Sequence, residues 1–160
     1  ARRALGELRE QIDAAADAVR EVAHGLSPRI LSEQGLGPAL EELTAGLPVE
    51  TDVSWEGRTG AGAPSPSDEA SEDLYLIASE AITNAMKHSG CSRIEVDVAR
   101  QDDVVQLTVR DDGAGGAAPT GRGILSMAAR ARRLGGTFEL VSPDGGPTTV
   151  MVRIPSGGPR

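Results

Sequence analysis

Apolar side chains in the first 27 residues fall at Leu5, Leu8, Ile12, Ala15, Val19, Val22 and Leu26, in alternating steps of three and four. That is the heptad spacing of a helix packed against other helices, with Arg, Glu, Asp and Ala on the solvated positions between. Pro28 has no amide hydrogen and clashes with the turn before it, so the pattern stops there. A repeat this strict favours a dimerisation or bundle helix over a helix lying on its own domain. The chain opens inside this pattern, at Ala1, and is therefore expected to be a piece of something longer.

Beyond Ile30 and Leu31, Gly35-Leu36-Gly37-Pro38 reads as a turn into a short helix whose apolar side is Leu36, Leu40, Leu43 and Leu47. Pro38 suits its first position. Val49 to Trp55 alternates and predicts a strand; residues 56–66 are rich in Gly, Pro and Ser and predict a loop. A second strong helix is predicted from Asp68 to His88, with Ser67 as cap and Asp68 and Glu69 at the positive end of the dipole. Leu74, Ile77, Ala78, Ala81, Ile82 and Ala85 form its buried stripe, and Ser89-Gly90 ends it. Ile94/Val96/Val98 and Val105/Leu107/Val109 alternate about Gln101-Asp102-Asp103, a hairpin signal. A glycine-rich loop over 111–123 leads into a helix from Ile124 to Leu134, stopped by Gly135-Gly136. Phe138–Val141 and Thr148–Ile154 make a last hairpin. These elements predict an α+β fold, a two-layer sandwich in which three helices cover one face of a mixed sheet of about five strands, preceded by the long N-terminal helix.

Composition narrows the function. Three aromatics, Trp55, Tyr75 and Phe138, leave the core to Val, Ile, Leu and Ala and give too few platforms for stacking nucleic-acid bases. Sixteen Lys and Arg against 24 Asp and Glu give a net charge of -8, which repels a phosphate backbone. Nucleic acid is thereby excluded as a partner. The single cysteine, Cys91, rules out an internal disulfide, and two histidines are too few for most histidine-based metal sites. No apolar run is long enough to span a membrane, so direct membrane contact is not expected of this piece.

Two clusters carry candidate chemistry. Glu80, Asn84 and Lys87 stand at i, i+4 and i+7 on one line of the predicted helix, with His88 beside them. Carboxylate and amide oxygens suit a hard cation such as Mg2+, and the lysine can answer a phosphate charge. An ordinary polar helix edge with a Glu80–Asn84 contact explains the same residues. Further on, Asp111-Asp112-Gly113-Ala114-Gly115 closes a strand, and Gly121-Arg122-Gly123 opens a helix directly. Glycines there admit a ligand close to the backbone, and the helix start favours an anion. The carboxylate ahead of them can accept from a nucleobase amine. No Walker-type phosphate loop occurs, and Gly113-x-Gly115-x-x-Ala118 fails as a dinucleotide fingerprint because Pro119, Gly121 and Gly123 precede any helix.

Taken in order, Glu80-x-x-x-Asn84-x-x-Lys87-His88, Asp111-x-Gly113-x-Gly115 and Gly121-x-Gly123 resemble the N box and two glycine boxes of the GHKL ATPases, which include gyrase, Hsp90, MutL and sensor histidine kinases. Within that group the chain is most similar to the catalytic ATP-binding domain of two-component sensor histidine kinases. HGLSPRILSEQGLGPALEEL and TTVMVRIP resemble the nitrate-sensor subclass. The resemblance implies a Bergerat-type ATP-binding fold over 31–160, with residues 1–30 as the second helix of a dimerisation hairpin. It implies ATP and Mg2+ as ligands: Asn84 on the metal, Glu80 orienting or activating the attacking group, and Lys87 with His88 toward the phosphates. Asp111 would accept the adenine amine above Gly113 and Gly115, Gly121 and Gly123 would offer amides to the phosphates, and Thr148 would stand near the adenine.

Three departures bear on activity. The segment between the glycine boxes, 116–120, is short and has no aromatic, and Pro147 replaces the glycine usual before the threonine. His24 is followed by Gly25 and lies off the heptad positions, so it reads as an exposed histidine and not as the phosphate acceptor. The resemblance therefore implies a cytoplasmic kinase domain that presents the γ-phosphate to a histidine elsewhere in the same kinase, for relay to a response regulator. The full-length protein would be a homodimer, with a membrane anchor left open. A degenerate nucleotide-binding module and a serine kinase of the anti-sigma type are the other readings.

Overall fold

The computed structural model describes residues 27–55 and 68–156. The heptad segment with His24, the 56–67 loop with the Ser67 cap, and 157–160 lie outside the described residues.

Helix α1 spans Ser27–Gln34, where the sequence predicted only the end of a helix. The difference lies in how one proline is read. Pro28 is the second residue of α1, and a first-turn amide has no acceptor inside its own helix, so its missing hydrogen costs nothing there. The Gly35 amide closes α1 on the Leu31 carbonyl at 3.0 Å, and α2 follows at once as Leu36–Thr44. Pro38 sits third in α2, two positions later than predicted and still within the first turn. Leu36, Leu40 and Leu43 are buried as the spacing required.

Strand β1, Glu50–Trp55, runs parallel to β2, Arg93–Gln101, with Val53 opposite Val96. Helix α3, Asp68–Asn84, comes between them in the chain. Strands β2 and β3 (Val104–Asp111) form the expected hairpin. After α4, Arg122–Arg133, strands β4 (Thr137–Val141) and β5 (Thr148–Pro155) form the second. The order β1-β2-β3-β5-β4, with one parallel pair, is the mixed five-stranded sheet the sequence predicted, and α1 is an added helix packed on α2.

Alternation sets which face is dry. Val105, Leu107, Val109 and Asp111 from β3 share a buried row with Val150, Val152 and Ile154 from β5, while Arg110, Gln106 and Arg153 point away. Leu74, Ile77, Ala78 and Ile82 of α3 and Met127 and Ala131 of α4 lie in the same core. Each large aliphatic side chain taken fully out of water contributes about 1.5–3 kcal/mol. Only Tyr75 among the aromatics is fully in the core.

A buried carboxylate joins α3 to α4. The Asp73 carboxylate, buried in α3, accepts from Arg130 Nη1 at 2.9 Å, from Arg133 Nε at 3.0 Å and from Arg133 Nη2. It ties the C-terminal turn of α4 to α3, where three arginines also suit the negative end of the helix dipole.

Candidate functional site

A cavity of about 430 Å3 opens where β3 ends and β5 begins. Val109 and Asp111 of β3 and Thr148 and Val150 of β5 form its floor. Asn84 and Ala85 at the end of α3, with His88 and Ser89 beyond, make one wall. Gly115 to Ala118 and the first residues of α4 make the other.

The acidic pair is split by the strand's alternation. Asp111 continues the buried row and is 5% exposed, and it stands directly opposite Thr148 in the β3–β5 register. Its Oδ1 accepts from the Gly113 amide at 2.8 Å, and its other oxygen has no hydrogen-bond donor among the described residues. Asp112 faces away. Its Oδ1 accepts from the Ser92 and Arg93 amides at 2.8 and 2.9 Å, and its Oδ2 from the Ser92 hydroxyl at 2.6 Å. These donors, the Ser92 hydroxyl foremost, lower its pKa from 3.8 to about 2. A depressed carboxylate adds stability that is fully present above the unfolded value and is lost as pH falls through the folded one. A carbon-detected titration of Asp112 should therefore show a midpoint of about 2, and Ser92→Ala should raise it toward 3.8. The same variant should flatten the acid side of the stability profile between those two values.

The helix wall departs from a straight projection. Regular α-helix ends at Asn84, and Ala85–Ser89 forms a π-helical turn closed by Gly90 in the left-handed region at φ 62°. The Ser89 hydroxyl donates to the Ala85 carbonyl at 2.8 Å, and the Cys91 amide donates to the same hydroxyl at 3.2 Å. The wider turn carries the half-buried Lys87 away from the line of Asn84, while His88, one turn past Asn84, stays near it and lines the cavity. Asn84 faces the cavity, and its amide has no hydrogen-bond partner among the described residues.

Of the ten residues singled out in the sequence, the structure gathers Asn84, His88, Asp111, Gly115, Gly121, Gly123 and Thr148 around this cavity. Glu80, Lys87 and Gly113 are not on its surface. Glu80 lies one turn below Asn84 and against Gly123, where any Cβ would overlap Glu80 Oε1 and come within 3.2 Å of Asn84 Nδ2. Glycine at that position is what lets the start of α4 close on α3. Gly113 packs on Ser89, not beside the open space. Gly115 adopts φ 63° with a Cβ position that overlaps the Pro143 carbonyl, so the glycine loop is docked on the β4–β5 turn. Gly121 begins α4 without a side-chain cap, leaving the first-turn amides without a side-chain acceptor beside the cavity.

Two residues escaped the sequence reading. Arg122 puts an exposed cation on the cavity wall, and its signal was its position between the two glycines. Ser142 donates to or accepts from Thr148 Oγ1 at 2.8 Å and accepts from the Ala117 amide at 3.0 Å. Its signal was its place one residue past the predicted strand, since Val141 pairs with Thr149 and a step beyond that pair brings Ser142 toward Thr148.

Residues 69–158 match the model of the family described as histidine kinase-, DNA gyrase B- and HSP90-like ATPases. The chain belongs to this family. Its membership agrees with the three boxes and implies ATP as the ligand of the domain. The nitrate/nitrite sensor protein NarX of Escherichia coli is 35% identical over 161 residues, covering 94% of this chain and 26% of that protein. The sensor histidine kinase MctS of Rhizobium johnstonii is 28% identical over 94% of this chain and 34% of its own length. The chain thus spans about a quarter to a third of the relatives it matches. Among solved structures, the blue-light activated histidine kinase of Erythrobacter litoralis superposes with a TM-score of 0.68 at 18% identity, over 96% of this chain and 59% of that one. That likeness establishes the fold. Among the described residues, no helix is long and apolar enough to cross a membrane.

Proposed function

We propose that this ATPase-family chain is the ATP-binding catalytic domain of a sensor histidine kinase, which holds Mg-ATP in the cavity and presents its γ-phosphate to a histidine on another segment of the same kinase. The observation that carries the reading is one cavity with two chemically different ends. Asp111 offers a carboxylate oxygen beside Thr148 at the buried end. Asn84, His88, Arg122 and the start of α4 stand at the other.

Phosphoryl transfer asks a protein mainly to position phosphates and neutralise their charge. Asp111 accepts a hydrogen bond from the exocyclic amine of the base, with Thr148 alongside. The first-turn amides of α4, with Arg122 and His88, face the phosphates. Among the described residues, no three His, Cys, Asp or Glu side chains are grouped to hold a metal ion by themselves. A magnesium ion, which keeps several waters and takes phosphate oxygens, needs few protein ligands, and the unbonded Asn84 amide fits that demand. Bound there, it would neutralise phosphate charge. Glu80 orients the attacking group or a water from beside Gly123, and Lys87 adds positive charge behind that wall. The domain division belongs to this proposal: 1–30 as one helix of a dimerisation hairpin and 31–160 as the catalytic domain. So do the homodimer, the response regulator as phosphate recipient and the cytoplasmic location.

Calorimetric titration with a non-hydrolysable ATP analogue tests the site. Binding should strengthen with Mg2+, and Asn84→Ala should lose that strengthening, weakening Mg-nucleotide binding about tenfold for one lost polar contact. Equal binding with and without the metal in both proteins would remove Asn84 from the metal. Absence of binding at millimolar nucleotide would leave a degenerate module in place of a kinase domain.

A further inference from the structure

We propose that Ser142 is a positioning residue that fixes Thr148 as a hydrogen-bond donor toward the base, and thereby makes the buried end of the cavity selective for a 6-aminopurine. The inference rests on the nucleotide reading above and assigns its base selectivity to a residue outside the three boxes.

The argument follows the protons. A serine or threonine hydroxyl has one hydrogen to give and two lone pairs to receive with. The Ala117 amide can only donate, so at 3.0 Å Ser142 Oγ is its acceptor. Ser142 Oγ and Thr148 Oγ1 lie 2.8 Å apart, and either can donate in that pair. If Thr148 donated, the proton of the half-buried Ser142 would have only water to accept it, with no acceptor among the described residues. If Ser142 donates, each proton is used in sequence: the Ala117 amide to Ser142, Ser142 to Thr148, and Thr148 into the cavity that it lines. A hydroxyl that already accepts is also polarised into a better donor, so the chain reinforces itself in that direction.

Thr148 stands directly across the β3–β5 ladder from Asp111, and opposite residues of such a pair put their side chains on one face about 4.5–5.5 Å apart at Cβ. The floor therefore presents a donor hydroxyl beside an acceptor carboxylate. That pair complements a ring nitrogen next to an exocyclic amine. A 6-oxopurine offers the reverse order and would leave both protein groups opposed by like groups. A site built to satisfy buried polar groups rejects such a mismatch strongly.

The test compares ATP with 1-deaza-ATP, in which the ring nitrogen is a C–H, by titration against wild type, Ser142→Ala, Ser142→Thr and Thr148→Val. Wild type should bind ATP about tenfold more tightly than the deaza analogue, the effect of one hydrogen bond. Ser142→Ala should weaken ATP several-fold while leaving 1-deaza-ATP within about twofold, so that the ratio approaches that of Thr148→Val. Ser142→Thr, which keeps the hydroxyl, should restore it. Retained binding of the deaza analogue reports that the site is folded. Equal weakening of both ligands by Ser142→Ala would reduce Ser142 to a clip between the glycine loop and the hairpin, and an unchanged ratio would likewise overturn the proposal. If wild type bound neither ligand, the nucleotide reading itself would fall; binding with no ratio to lose would defeat the Ser142 role alone.

Discussion

Replacing Arg130 and Arg133 together with methionine should destabilise the fold by about 3–5 kcal/mol, because it leaves the Asp73 carboxylate buried without a cation. The side chain of Asp73 is 1% exposed, whereas those of the two arginines are 34% and 59% exposed. The asymmetry decides which partner matters. An arginine released from the pair can turn to water, but the carboxylate on α3 cannot. Methionine keeps much of each arginine's hydrocarbon stem, so the loss reports charge and hydrogen bonding more than packing. Urea unfolding at neutral pH, read as a shift in midpoint at constant slope, measures it. Adding Asp73→Leu to the double variant should recover most of the loss, since a buried ion pair exchanged for apolar groups of similar size is often neutral or better. A cost under about 1 kcal/mol would class the contact with ordinary surface ion pairs. The contact clamps the last turn of α4 to α3, and the first turn of α4 is a wall of the cavity, so stability and site geometry meet on one helix.

That clamp was not legible in the sequence. Asp73 lies 57 and 60 residues from its partners, and nothing local marks it as different from the other acids at the start of α3. The sheet was legible for the opposite reason. One of its faces is dry, so β2, β3 and β5 alternate along their length, and the alternation fixes strand, face and hairpin together. Pro28 was ambiguous because a residue that cannot continue a helix is also well suited to begin one. The line through Glu80, Asn84 and Lys87 held as far as Asn84. Beyond it the helix widens around Ser89, whose hydroxyl takes the Ala85 carbonyl while Gly113 packs against it from another loop. The widened turn carries Lys87 away from the line of Asn84, while His88 stays close to it. The boxes converge on one cavity; the packing between them decided which of their members line it.

Asp111→Asn should reduce ATP affinity about a hundredfold without destabilising the fold. A carboxylate that accepts from a base amine makes a charge-assisted hydrogen bond of about 1.5–3 kcal/mol. An asparagine that keeps its oxygen on the Gly113 amide, as Asp111 Oδ1 does at 2.8 Å, turns amide hydrogens toward that amine and opposes donor to donor. Stability should move the other way. Asp111 is 5% exposed, with one backbone donor and no cation paired to it among the described residues, so its charge is a burial cost that asparagine removes while keeping the Gly113 bond. Titration with the ATP analogue and urea unfolding of the same preparation separate the two effects. Loss of both affinity and stability would make Asp111 a structural anchor of the glycine loop. Loss of affinity with stability held or raised is the signature of a group retained at the expense of the fold because the ligand requires it. The variant should not gain GTP in exchange, because the Thr148 hydroxyl would still meet the ring N–H of a 6-oxopurine as a donor facing a donor.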